Sequence, residues 1–324
     1  MTIGWERFQP VLHMTPHSEK QKRLLCATDL SPRSQRAVGR ALQLAKRLDA
    51  RVTLLHVLNP AESTRDSIYA RKEIARQLGA IRVANYPEPQ ILLRTGDYVE
   101  CIAAVAHETD ADVIVLGAQR PKTLASLIGT TAERVTALAG RPALIVNLPS
   151  HLRYGAVVIA AELSDAFAEV VRVAASLKFL DAPKVSIVHG LDIPRGPRFL
   201  FDARAAKRRL PAWEKGTKAR LLRKLDVVGI NSSGVGVVFP QARPIEAIRR
   251  VIRSVEPELL ILGTHNRSIF KRVLSGSVAH DVVRRVRCDI LVAPLTARFK
   301  TRHPDRHSTV HEMNANTRDA HSGR

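Results

Sequence analysis

The feature that most constrains this chain is that it states one plan twice. From Arg23 it reads RLLCATDLSPRSQRAVGRALQLAKRLDARVTLLHVL, and from Tyr154 it reads YGAVVIAAELSDAFAEVVRVAASLKFLDAPKVSIVHGL. At an offset of 133 residues Glu162 falls where Asp29 fell, Ser164 matches Ser31, and His189 matches His56. Further on the offset is 146, because Gly117 in DVIVLGAQ answers Gly263 in ELLILGTH, so the second copy holds 13 extra residues between these markers. A duplication of this length implies two similar domains, and 324 residues are enough for each to bury its own core.

Within a copy, short apolar runs alternate with helical patterns, which predicts parallel strands linked by crossover helices. The first copy has strands expected near 23–28, 51–58, 90–95, 112–117 and 143–147, the second near 156–161, 184–190, 235–239, 258–263 and 289–293. Runs without polar alternation suit strands buried on both faces. Ser31 reads as an N-cap with Pro32 at the first helical position, and Ala37, Val38, Ala41, Leu42, Ala45 and Leu48 form an apolar stripe. The chain divides into an N-terminal extension (1–20), a first α/β domain (21–148), a second (153–296) and a basic tail (297–324) poor in apolar residues, expected to be disordered. Residues 148–153 make a linker short enough to force the domains together.

A formal charge of +21 attracts nucleic acid, anionic surfaces and phosphorylated ligands without choosing among them. Its densest part is 195–225, with eleven Lys or Arg against Asp202 and Glu214. Phe199, Phe201 and Trp213 lie among these cations, a mixture that single-stranded nucleic acid binders use, although no RNA or DNA motif accompanies it. A basic helix over the sheet or a partner-binding flap is the favoured reading, with Pro211 expected to break the helix near its middle. Cys26, Cys101 and Cys288 form no CxxC pair and read as buried free thiols. No apolar run suits a membrane span and Met1–Lys20 lacks an apolar signal core, so the expected compartment is the cytoplasm.

Two halves with Asp or Glu after the first strand and a glycine turn after the fourth resemble the universal stress protein family, in a tandem form, over 22–148 and 154–294. That resemblance implies a five-stranded, doubly wound parallel sheet in each half, of the adenine nucleotide alpha hydrolase-like kind, and a pseudo-dimer joined through the last strands. It also implies ATP, with Mg accompanying the phosphates, and a G-x2-G-x9-G-S/T phosphate loop after strand four. The second half supplies Gly263, Asn266 in place of the middle glycine, then Gly276, Ser277 and Val278, with His265 and Arg267 in the loop and Glu162 as the acid at the adenosine. The first half supplies Asp29, His56 and Val57 at the end of strand two, where the family's adenine pocket lies, and Gly117. Its loop departs further: Arg120 replaces the middle glycine, and Gly129 with Thr130 comes one residue early. The second site therefore ranks above the first.

Plainer readings stand beside these. Gly276 and Ser277 serve equally well as a helix cap, Asp29 and Glu162 as turn residues at a helix's positive end, and His56 and His189 as hydrogen-bonded residues closing their strands. His311 and Glu312 begin an HExxH motif that Ala315 ends, and neither a P-loop nor a GxSxG elbow occurs. With no acid, base and nucleophile set, the expectation is a nucleotide-binding stress-response protein rather than an enzyme. The alternative is a nucleotide-independent module that docks acidic protein partners or nucleic acid through 195–225.

Overall fold

The computed structural model describes residues 21–61, 64–81, 86, 88–118, 129–161, 166–190, 203–263 and 288–294. The first half runs β1 (Arg23–Thr28), α1 (Pro32–Leu48), β2 (Arg51–Leu58), α2 (Thr64–Ala80), β3 (Gln90–Thr95), α3 (Tyr98–Glu108), β4 (Val113–Gly117), α4 (Gly129–Ala139) and β5 (Ala143–Val146). The second runs β6 (Ala156–Ala160), α5 (Ala166–Ser176), β7 (Lys184–Val188), α6 (Ala203–Val227), β8 (Gly236–Val238), α7 (Pro244–Val255), β9 (Leu259–Gly263) and β10 (Asp289–Ala293). Each strand falls where its apolar run predicts it.

Within the described residues the strands form one sheet in the order β3-β2-β1-β4-β5-β10-β9-β6-β7-β8. Neighbours pair in parallel except at the centre, where β5 and β10 run antiparallel with Leu144 opposite Leu291. Two like sheets that meet by the same edge must be related by a two-fold axis, and that operation makes the join antiparallel. This is the expected pseudo-dimer through the last strands.

Helices cover both faces. Side chains of α1, α2, α5 and α6 share one core cluster, and those of α3, α4 and α7 share the other. In β1, Leu24 and Cys26 point into the first cluster and Leu25 into the second, so the middle of the strand is buried on both faces. Each fully buried aliphatic side chain is worth about 1.5–3 kcal/mol. Ser31 caps α1 as predicted, its side chain accepting from the Ser34 N–H at 3.3 Å. The α1 stripe is buried from Ala37 to Ala45, and Leu48 packs partly buried at its end.

One expectation fails here. Pro211 lies inside α6, which runs on as a single helix of 25 residues. An interior proline costs about 3 kcal/mol or more through its missing N–H and its ring. Packing beyond it offsets that cost: Thr217, Leu221 and Leu225 are at most 1% exposed, and Trp213 packs on the sheet edge.

The seam between the halves holds a polar knot that the sequence did not announce. Asp289, at the start of β10 and fully buried, accepts from the N–H groups of Asn147 and Leu148, each at 2.8 Å, and from the Tyr154 hydroxyl. Arg40 of α1 reaches over from the other side. Its Nε lies 3.1 Å from Asp289 Oδ2, within ion-pair range but off the line of a hydrogen bond, while its two terminal nitrogens donate to Leu152 O and Pro149 O. Its guanidinium also sits 4.6 Å from the Tyr154 ring centre. Burial raises the Asp289 carboxyl above its ordinary range while Arg40 and the N–H donors pull it back, and burial beside Asp289 pushes Tyr154 well up. The linker is thereby fastened to α1, as its length required. Gly39 completes the fit, since a Cβ there would lie 2.6 Å from Ser150 Oγ.

Candidate functional site

In a doubly wound sheet, ligands bind at the carboxyl ends of the strands, where the winding changes direction. In the first half that crevice opens between β1 and β4, and in the second between β6 and β9. Asp29 follows β1 and Gly117 ends β4, so the structure brings these two predicted residues to the same edge. Val57 stands one strand over in β2, half-buried, and Gly129 and Thr130 open α4. Gly263 ends β9 and pairs with Ala293. Glu162, His265, Asn266, Arg267, Gly276, Ser277 and Val278 lie outside the described residues, as do Arg120, Phe199, Phe201 and the tail.

The lip at Asp29 is built by its neighbours. Thr28 Oγ1 accepts from the Leu30 N–H at 3.1 Å and donates to Ser34 Oγ at 2.9 Å, while Asp29 Oδ1 accepts from the Ser31 N–H at 3.0 Å. Leu30 is held at a left-handed φ of 62°, and Gln77 of α2 fixes it by donating to the Leu30 carbonyl at 2.9 Å. Burial alone would raise the Asp29 carboxyl, but hydrogen bonds from Ser31 and Ser34 bring it below the ordinary value, so it stands ionised at neutral pH. The arrangement offers a fixed anionic acceptor, suited to hydroxyl donors. It is a poor place for phosphate, because Asp29 and Ser31 already take the Ser31 and Ser34 N–H groups at the start of α1.

Gly117 has a packing duty. A Cβ there would stand 3.0 Å from the Cα and the N of Ser34, so the glycine is what lets α1 press its first turn against the end of β4.

The two histidines that close strand two behave alike and are surrounded differently. His56 Nδ1 donates to Thr28 O at 2.8 Å, and His189 Nδ1 donates to Ala161 O at 2.9 Å, the same bond displaced by the repeat. A carbonyl only accepts, so the proton sits on Nδ1 in both. Among the described residues no aromatic ring stacks on His56. His189 lies under Trp213 of α6 in a stacked pair, ring centres 6.0 Å apart and planes 30° apart, with Phe239 edge-on to both at 6.3 and 5.7 Å. After it, Gly190 is pressed against α7: a Cβ there would be 2.7 Å from Pro244 Cα and 2.9 Å from Ala247 Cβ. The signal for this cluster was present in Trp213 among the cations, but its target was not.

Cys26 and Cys288 are buried free thiols, each pushed up to about 12 chiefly by burial, while Cys101 is only half-buried. Among the described residues no group of three or more acids, histidines or cysteines is placed to hold a metal, and no helix is long and apolar enough to cross a membrane.

A sequence model described as the universal stress protein family matches this chain twice, over residues 20–147 and 153–294. Among solved structures, a universal stress protein from Archaeoglobus fulgidus DSM 4304 is 17% identical with a TM-score of 0.56, covering 84% of this chain and 96% of that one. A putative universal stress protein from Pseudomonas aeruginosa UCBPP-PA14 is 14% identical with a TM-score of 0.55, covering 85% and 93%. A universal stress protein in complex with cAMP is 25% identical with a TM-score of 0.33, covering 39% and 96%. No curated protein matches in sequence.

Proposed function

The chain belongs to the universal stress protein family, and from that premise we propose that it serves in the stress response by binding an adenine nucleotide, ATP with Mg, chiefly in its second half. The observation that carries this is the paired crevice: each half ends its fourth strand in a glycine at the switch point of a doubly wound sheet, Gly117 in one and Gly263 in the other. In the second half Glu162 would face the adenosine, with Gly263, Asn266, Gly276, Ser277 and Val278 around the phosphates and His265 and Arg267 adding charge. In the first half Asp29, placed as an ionised acceptor at the lip, fits a ribose, while Val57, Gly117, Gly129 and Thr130 would form a weaker site. We read the protein as a cytoplasmic binder rather than a catalyst, any hydrolysis being slow and incidental. Titration with labelled ATP tests the reading: saturable binding supports it, and no saturation at millimolar nucleotide sinks it. Asn266→Gly is expected to tighten binding, since it restores the loop's missing glycine.

A second reading has its own observation. The outer face of α6 exposes Lys215, Lys218, Arg220 and Arg223, while the inner face is buried by Thr217, Leu221 and Leu225. Among the described residues no acid pairs with these four, and such a cationic face docks an acidic partner. Such an affinity falls steeply with salt and drops when these four residues are neutralised.

A further inference from the structure

Resting on the nucleotide reading above, we propose that α6 occupies the second half's own base-binding wall, with Trp213 as an intrachain competitor for the nucleobase. The wall is identified by position and by bonding. His189 directly follows β7, the strand next to β6, and its Nδ1–H is tied to Ala161 O at the carboxyl end of β6, one lip of that crevice. Its backbone is tied too, the His189 N–H donating to Val238 O at 3.1 Å. The ring is therefore fixed, and the face it offers is taken by the Trp213 indole, with Phe239 closing the side.

The contrast with the first half shows that this cover is added rather than inherent to the fold. The repeat offset sets Leu93 where Phe239 stands, and His56 makes the same carbonyl bond with no ring on it among the described residues. Trp213 rides on a helix whose remaining contacts, at Thr217, Leu221 and Leu225, hold it without the indole. A stacked aromatic pair contributes about 0.5–1.5 kcal/mol beyond its buried area, enough to compete with a base and too little to exclude one. A flat heteroaromatic ligand must displace the indole, so the apparent affinity is lowered by the fraction of molecules in which the wall is free.

The test uses the full chain with Trp5→Phe, which leaves Trp213 as the single tryptophan. Labelled ATP is titrated into this protein and into versions carrying Trp213→Ala or Trp213→Phe, with thermal melts to confirm folding. The expected result is affinity about tenfold tighter for Trp213→Ala and an intermediate gain for Trp213→Phe. Unlabelled ATP should also shift the Trp213 emission to the red as the indole leaves its stack. Equal or weaker binding by the folded variants, with the parent still binding ATP, overturns the competitor and leaves the nucleotide reading intact. No saturable binding by any of the three overturns the nucleotide reading and the competitor with it. Should Trp213→Ala fail to fold, Trp213→Phe and the emission shift decide.

Discussion

The end of strand two in the first half and its counterpart in the second share one hydrogen bond and diverge in nearly everything around it. His56 and His189 each give Nδ1–H to a carbonyl at the carboxyl end of the neighbouring strand. Beyond that, His56 is followed by half-buried Val57, whereas His189 is stacked by Trp213 and followed by Gly190, which α7 presses closely. The same division runs through the seam, where Arg40 and Asp289 correspond by the repeat to Val173 and Pro142. Duplication copies the frame, and the two copies are then free to take different work because each needs only to keep the shared core intact.

The seam is where this asymmetry is worth most. Arg40→Met removes the charge facing Asp289 and leaves a buried carboxylate, so unfolding free energy in urea should fall by about 3–5 kcal/mol. Adding Asp289→Asn should recover part of that loss, since the amide is neutral and its carbonyl still accepts from Asn147 and Leu148. A loss below about 1 kcal/mol for the single change would mean that the halves are held by the β5 and β10 pairing alone.

The two close-packed glycines come next. Gly190→Ala meets backbone at 2.7 Å and Gly117→Ala at 3.0 Å, so both should destabilise by about 1–3 kcal/mol, Gly190 by more. Thermal melts in which Gly117→Ala is neutral would free that glycine from its packing role and return it to the ligand.

A smaller effect tests what the copies kept in common. Asp112 accepts from the Arg23 N–H at 2.8 Å and Glu258 from the Ala156 N–H at 2.7 Å, each acid securing the first residue of the strand beside it. Asp112→Ala and Glu258→Ala should each cost about 1–2 kcal/mol, and by similar amounts, in denaturant unfolding. Unequal losses would show that the repeat diverged here as well.

Asp29 gives the smallest effect. Its folded value lies below the ordinary carboxylate value, so its contribution is present above pH 4 and is lost as pH falls through the lowered folded value. Being exposed at a helix start, it should be worth about 0.5 kcal/mol. Asp29→Asn should therefore narrow the stability gap between pH 7 and pH 3, and a carboxyl titration by NMR with its midpoint above 4 would contradict the hydrogen bonding seen at Ser31.

Strand positions, the Ser31 cap and the tandem architecture were legible in the sequence, because apolar runs and cap residues act locally and the 133-residue repeat is written in the chain. The join through the last strands was what the family resemblance implied. Pro211 misled because its cost is local and the packing that outweighs it, at Thr217, Leu221 and Leu225, is not. At the candidate site, the sequence offered Asp29 and Gly117 as residues of one crevice, and the fold does bring them to one edge. It could not say that Gly117 is needed by Ser34, or that Trp213 finds His189.

By itself, then, the sequence determined which elements form and that they form twice, because periodicity, capping and duplication are written in consecutive residues. Only the tertiary structure decided how the copies differ. Arg40 meets Asp289, and Trp213 meets His189, across separations that no local pattern spans, and a contact between distant residues exists only after the whole sheet has set the distance between them.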